Sequence, residues 1–145
     1  MSGILVGVDG SDQSHRALDW ALHEAAFHQV PLTVMAVQPR SVRPATHIYW
    51  NVPQLPDNSF DAEHARTELQ NFVDKLATDS GDTPPEITVT VTRGDPAEEL
   101  INASRDADLL VVGSRGSGAF AKLLIGSVSS KVTHHAACPV VVVPE

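Results

Sequence analysis

The chain has one cysteine, Cys138, in 145 residues. That excludes an internal disulfide, leaves nothing for a thiolate metal cluster and fits a reducing compartment. Long apolar runs are also missing: none approaches the ~18 residues needed to cross a bilayer, so no membrane partner is expected. Cations are few, with 10 Lys and Arg against 18 Asp and Glu and a net charge of -8. Broad contact with a nucleic-acid backbone needs a basic surface and is excluded on that ground. The first residues carry no basic leader, long apolar segment or small-residue cleavage site, so the expected location is cytoplasmic. The seven histidines are scattered without zinc-site spacing.

Hydrophobic residues make up 42% of the chain, enough for one compact core and one domain over residues 1–145. Apolar, β-branched runs at 4–8, 32–37, 109–112 and 140–143 read as strands buried on both faces, as in a parallel sheet. The run Ile-Thr-Val-Thr-Val-Thr at 87–92 alternates strictly and is placed at a sheet edge.

Helical spacing joins these runs. Ala17, Leu18, Ala21, Leu22 and Ala25 share one face behind a Ser11 cap, and Ala65, Leu69, Phe72, Val73 and Leu76 form the inner stripe of a helix over 61–78. Asp95, Pro96 and Glu98 mark the start of a short third helix. A last helix runs from Ser127 to about His135. His28, His134 and His135 would complement helix C-termini. Strands alternating with helices predict a layered α/β fold with right-handed crossovers. Residues 39–59 hold four prolines and little periodicity, and read as a long functional loop.

After the fourth strand the chain reads Gly113-Ser-Arg-Gly116, nine residues, then Gly126-Ser127 at the start of the last helix. Glycines let the backbone approach a ligand, and a helix start presents unpaired N–H groups and a positive dipole end. Together they make a phosphate cradle, to which the hydroxyls of Ser127, Ser129 and Ser130 add donors. Arg115, Lys122 and Lys131 supply local positive charge with no acid between 113 and 131. Ligands of open parallel sheets bind beyond the carboxyl ends of strands, and Asp9 and Gly113 both follow strand ends. Two roles are open to Asp9: capping the first helix, or accepting hydrogen bonds from ribose hydroxyls.

Val-Gly-Val-Asp-Gly-Ser at 6–11, together with G-x2-G-x9-G-S at 113–127, resembles the universal stress protein family (UspA-like), ATP-binding branch, over nearly the whole chain. The resemblance implies a Rossmann-like, five-stranded parallel sheet of order 3-2-1-4-5 with helices on both faces. It implies that Asp9 contacts ribose or the adjacent phosphate, that the main chain at Val37 reads adenine, and that Gly113, Gly116, Gly126, Ser127, Val128 and Ser129 surround phosphate and ribose. It also implies a homodimer through the last strand, Val140–Val143, whose apolar edge would otherwise be unpaired. ATP, with Mg2+ to offset its charge, is the expected cofactor, and a regulatory protein the expected further partner.

Other chemistries fit less well. The Walker A pattern fails at Ala119, where Lys belongs after Gly118. The match of Gly116 to Ala121 to a dinucleotide fingerprint lacks an acid about 20 residues on. No Gly-x-Ser-x-Gly elbow is present. Trp20, Trp50 and Tyr49 read as packing or loop residues. Two rivals to a nucleotide-dependent regulatory module stay open: a slow ATP hydrolase or phosphotransferase, which would need a base beyond Asp9, and a dimeric scaffold binding no nucleotide, whose glycine motif would be broken.

Overall fold

The computed structural model describes residues 3–10, 12–38, 61–81, 83–114 and 127–144. Ser11, the loop at 39–59, Arg115, Gly116, Lys122 and Gly126 therefore lie outside the described residues.

Strands and helices alternate: β1 (Ile4–Val8), α1 (Asp12–His28), β2 (Leu32–Gln38), α2 (Ala62–Asp79), β3 (Ile87–Arg93), α3 (Pro96–Ala103), β4 (Leu109–Gly113), α4 (Ser127–His135) and β5 (Val140–Val143), with a 3-10 turn at Ser104–Asp106. The five strands form one parallel sheet of order β3-β2-β1-β4-β5. This is the order implied by the resemblance. The chain reverses direction of winding between β1 and β4, so the crevice at their carboxyl ends is the natural ligand position in such a sheet.

Two apolar layers hold the helices to the sheet. On one face Leu18, Ala21 and Leu22 of α1 and Leu69 and Val73 of α2 pack on Val6, Val34, Val89 and Val111. On the other, Ala97 and Leu100 of α3 and Val132 of α4 pack on Leu5, Leu110 and Val112. Gly7 lets α3 come close, because a Cβ there would lie 2.8 Å from Leu100 Cδ1.

The helix ends follow their sequence signals with small shifts. Asp61 caps α2 from outside it, its Oδ1 accepting from the main-chain N–H of Glu63 at 3.0 Å and His64 at 3.2 Å. The buried stripe of α2 is Ala65, Leu69, Val73 and Ala77. Phe72 and Leu76 sit at its half-buried margin, where Phe72 meets His15 of α1 edge-on with ring centroids 5.2 Å apart. Asp95 Oδ2 accepts from Glu98 N–H at 2.9 Å and caps α3 behind Pro96. At the end of α1, Gln29 takes a left-handed conformation (φ 57°), with Val30 N–H donating to Ala25 O at 3.0 Å and Gln29 N–H to Ala26 O at 3.3 Å. Those two bonds form a Schellman closure.

β3 lies at an edge, as its alternation predicts. The expectation that β5 is buried on both faces is corrected: all four of its valines are half-buried. It is the opposite edge strand, with β4 on one side and, among the described residues, no strand on the other. No helix among the described residues is long and apolar enough to cross a membrane.

Candidate functional site

Register brings the described site residues to one level. Val8 pairs with Ala36, so Asp9 stands one step further on, level with Val37. Val6 pairs with Val111, so Ser114, immediately after Gly113, is level with Asp9 as well. Val37 in turn pairs with Thr92. Leu5 and Met35 face the α3 and α4 layer, and alternation along the strands carries Asp9 and Val37 to that same side. A carboxylate at the end of β1, main chain at the end of β2 and the residue that follows β4 thus share one rim of the sheet.

Asp9 is half-buried and is followed by Gly10 with φ +84°, a turn conformation that glycine adopts without strain. Its main-chain N–H donates to Ser14 Oγ at 3.2 Å. Ser14 is in the first turns of α1 and only 4% exposed. This bond fixes the backbone where β1 passes into α1. Val37 is buried, so what it can offer a ligand is its main chain.

Gly113 ends β4 beside Val143 of β5, and Ser114 N–H donates to Val143 O at 2.9 Å. The Gly113 carbonyl accepts from Ser129 Oγ at 2.5 Å across 16 residues of chain. Ser129 is 3% exposed, so its hydroxyl points into the protein and holds the first turn of α4 against the end of β4. Ser127 is exposed and Val128 half-buried at the start of this nine-residue helix. The first-turn N–H groups of a helix have no partner within it and carry its positive dipole end, so this end of α4 can receive an anion at the rim that carries Asp9.

Of the eight residues singled out from sequence, six fall in the described residues and gather at these strand ends and this helix start; Gly116 and Gly126 lie outside them. Ser14 was missed. Its signal was available, because Ser14 falls on the same helical stripe as Leu18, Ala21 and Ala25, and a serine on a buried stripe must find a hydrogen-bond partner.

At the opposite end of the sheet, hydrogen bonds tie the described connections together. Gly3 N–H donates to Asp108 Oδ2 at 3.0 Å while Asp108 N–H donates to Gly3 O at 2.9 Å. Ser104 Oγ, fully buried, donates to Ile101 O at 2.6 Å and accepts from Ala137 N–H at 2.9 Å. Nearby, burial pushes the Cys138 thiol up, and the Asp108 charge adds to that, against a smaller opposing effect of a main-chain hydrogen bond with Leu110.

Known proteins share this fold. The model of the universal stress protein family matches residues 1–144. A universal stress protein of Mycolicibacterium smegmatis is 39% identical over 144 residues, covering 97% of this chain and 47% of its own length. The chain spans about half the length of the curated relatives it matches. Among solved structures, UspA from Lactobacillus plantarum has a TM-score of 0.77 at 25% identity, covering 97% of this chain and 96% of its own. A universal stress protein in complex with cAMP has a TM-score of 0.67 at 27% identity, with 97% and 95% covered. On this match along its length, and on the sheet order that accompanies it, the chain belongs to the universal stress protein family.

Proposed function

We propose that the chain binds an adenine nucleotide, ATP with Mg2+, across the carboxyl ends of β2, β1 and β4, and works in the cytoplasm as a nucleotide-dependent regulatory module. The observation that carries this reading is the level rim formed by Val37, Asp9 and Ser114, with the start of α4 tied to Gly113 beside it. A related protein of the same fold forms a complex with cAMP, an adenine nucleotide.

Each group has chemistry suited to one part of the ligand. The Asp9 carboxylate accepts hydrogen bonds and suits ribose hydroxyls, while main-chain groups at Val37 suit a base edge. The first turn of α4, through Ser127 and Val128, suits phosphate, and Gly116 and Gly126 would complete that cradle from the sequence between β4 and α4. Among the described residues no cluster of three or more His, Cys, Asp or Glu side chains stands ready for a metal ion. A Mg2+ ion would therefore be held chiefly by the phosphates, with Asp9 as the nearest protein carboxylate to meet it through water. The ion would neutralise phosphate charge on an acidic protein.

Binding, with little or no turnover, is the favoured activity, since the sequence shows no convincing base beyond Asp9 for in-line attack on a phosphate. A homodimer through β5 accompanies the reading, because its half-buried valines and a main-chain edge that pairs with no other strand among the described residues suit a second copy. A regulatory protein partner would then sense the nucleotide state of the dimer.

Calorimetric titration of nucleotide-free protein with ATP and Mg2+ tests this, beside a Gly116→Val/Gly126→Val variant whose fold is checked by circular dichroism. Micromolar binding, about -8 kcal/mol, that is lost in the variant is the expected result. No binding to the parent chain at several temperatures would overturn it and favour the nucleotide-free dimeric scaffold.

A further inference from the structure

Among the described residues, the buried polar side chains are four serines: Ser14, Ser104, Ser114 and Ser129. A buried hydroxyl is retained at a cost unless its hydrogen bond holds something in place. Ser14 and Ser129 each join a helix to the end of a strand, and both joins fall at the rim where β1 and β4 part. Ser14 Oγ accepts from the N–H of Asp9 at 3.2 Å, fixing the end of β1 to the start of α1. Ser129 Oγ donates to the carbonyl of Gly113 at 2.5 Å, fixing the start of α4 to the end of β4.

We propose that Ser129 and Ser14 are positioning residues of the nucleotide site, holding the α4 first turn and the Asp9 backbone in their ligand-ready places before any ligand arrives. This rests on the nucleotide reading above and deepens it by giving each serine a separate share of the ligand. Ser129, turned inward onto Gly113, acts on phosphate through the main-chain N–H groups it aims, and its hydroxyl is not a phosphate donor. Ser14 acts on the sugar through the aim of the Asp9 carboxylate. Fixing such groups in advance removes an ordering cost from binding, so losing either tie lowers affinity without removing an atom that touches the ligand.

Ser104 supplies the control. It is as buried as the other two and makes two hydrogen bonds, but it sits before β4 and β5 at the opposite end of the sheet. Ser129→Ala, Ser14→Ala and Ser104→Ala should all lower Tm. Affinities for ATP, AMP and adenosine are measured for each by calorimetry or by ligand-observed NMR where binding is weak.

Ser129→Ala should weaken ATP and AMP about fivefold to tenfold, the effect of one hydrogen bond, and leave adenosine within twofold. Ser14→Ala should weaken all three ligands by a similar factor, because all three carry ribose. Ser104→Ala should change none of them more than twofold, and Ser129→Thr, which keeps the donor, should restore ATP binding.

Losses in Ser104→Ala equal to those in Ser129→Ala would show that affinity merely follows stability, and would overturn the inference. So would unchanged ATP affinity in Ser129→Ala, or a loss of adenosine in that variant as large as the loss of ATP. The parent chain separates the two claims: if it binds no nucleotide the binding reading fails and this one with it, whereas a binding parent with any of those variant results sinks the positioning role alone.

Discussion

The two ends of the sheet share main-chain ties between connections and differ in which helices are tied by side chains. At the amino ends of the strands, main-chain bonds pass from one connection to the next: Ile4 N–H to Pro31 O at 2.9 Å, Leu32 N–H to Glu86 O at 2.8 Å and Leu110 N–H to Pro139 O at 2.9 Å. Gly3 and Asp108 add their reciprocal pair there. At the carboxyl ends of β1 and β4, side-chain hydroxyls of Ser14 and Ser129 make the joins to α1 and α4. In the proposed reading these ties hold the first turn of α4 and the backbone of Asp9 at the ligand rim. Main-chain bonds join connections at that end too, Gly94 N–H to Gln38 O and Ser114 N–H to Val143 O, each at 2.9 Å, so the difference lies in the two hydroxyl ties to α1 and α4. The proposed ligand site lies at the end where the hydroxyls of Ser14 and Ser129 tie α1 and α4 to the strands.

The largest expected effect tests whether the shared core beneath both ends is independent of the rim. Leu100→Ala removes a side chain that is 4% exposed and packed against Gly7, and should cost about 2–5 kcal/mol in chemical denaturation. Gly7→Ala places its new methyl against Leu100 and should cost about 1–3 kcal/mol. Because the two changes meet at one contact, the double variant should cost less than their sum; simple additivity would show that the close approach of α3 is not what requires glycine.

Asp108→Ala probes the amino end of the sheet. It removes the acceptor of the Gly3 N–H and should cost about 1–2 kcal/mol, while nucleotide affinity stays within twofold. The same variant sharpens the account of Cys138. Burial is the larger cause of its raised thiol pKa and the Asp108 charge the second, so the pH profile of iodoacetamide alkylation should move down in Asp108→Ala yet stay above that of an unfolded cysteine. The folded chain holds this proton more tightly than the unfolded chain. Its contribution to stability is thus fully present below the unfolded thiol pKa and is lost as pH rises through the folded one. An alkylation profile unmoved by Asp108→Ala would contradict the part assigned to the charge.

The smallest effect lies at the amino end of the sheet, away from the proposed site. Gln29 holds a left-handed conformation at the close of α1, where glycine has no Cβ penalty. Gln29→Gly should add about 1 kcal/mol, a rise in Tm of about 2–4 °C for a chain of this size, with no change in ligand binding.

Much of this was legible in the sequence because apolar periodicity is a local signal. The β-branched runs, the Asp61 and Asp95 caps and the alternation of Ile87 to Thr92 each name an element without reference to the rest of the chain. The strand order followed from the resemblance carried by the residues at 6–11 and 113–127. What the sequence did not show was direction: Ser129 read as a donor to phosphate, whereas its hydroxyl turns onto Gly113 from a buried position. Ser14 passed unnoticed because a single serine on an apolar stripe differs little from a small core residue until its partner, the Asp9 N–H, is known. The half-buried state of β5 was likewise hidden, since four consecutive valines look alike at the centre of a sheet and at its edge.

The central claim is that the carboxyl end of the sheet is the ligand end. Backbone amide NMR shifts of uniformly labelled protein, recorded as ATP and Mg2+ are added, test it most directly. The account predicts saturable shifts at Asp9, Val37, Ser114 and the first turn of α4, with Gly3, Ser104 and Asp108 unmoved. Shifts concentrated at Gly3, Ser104 and Asp108, or none anywhere on addition of nucleotide, would contradict it.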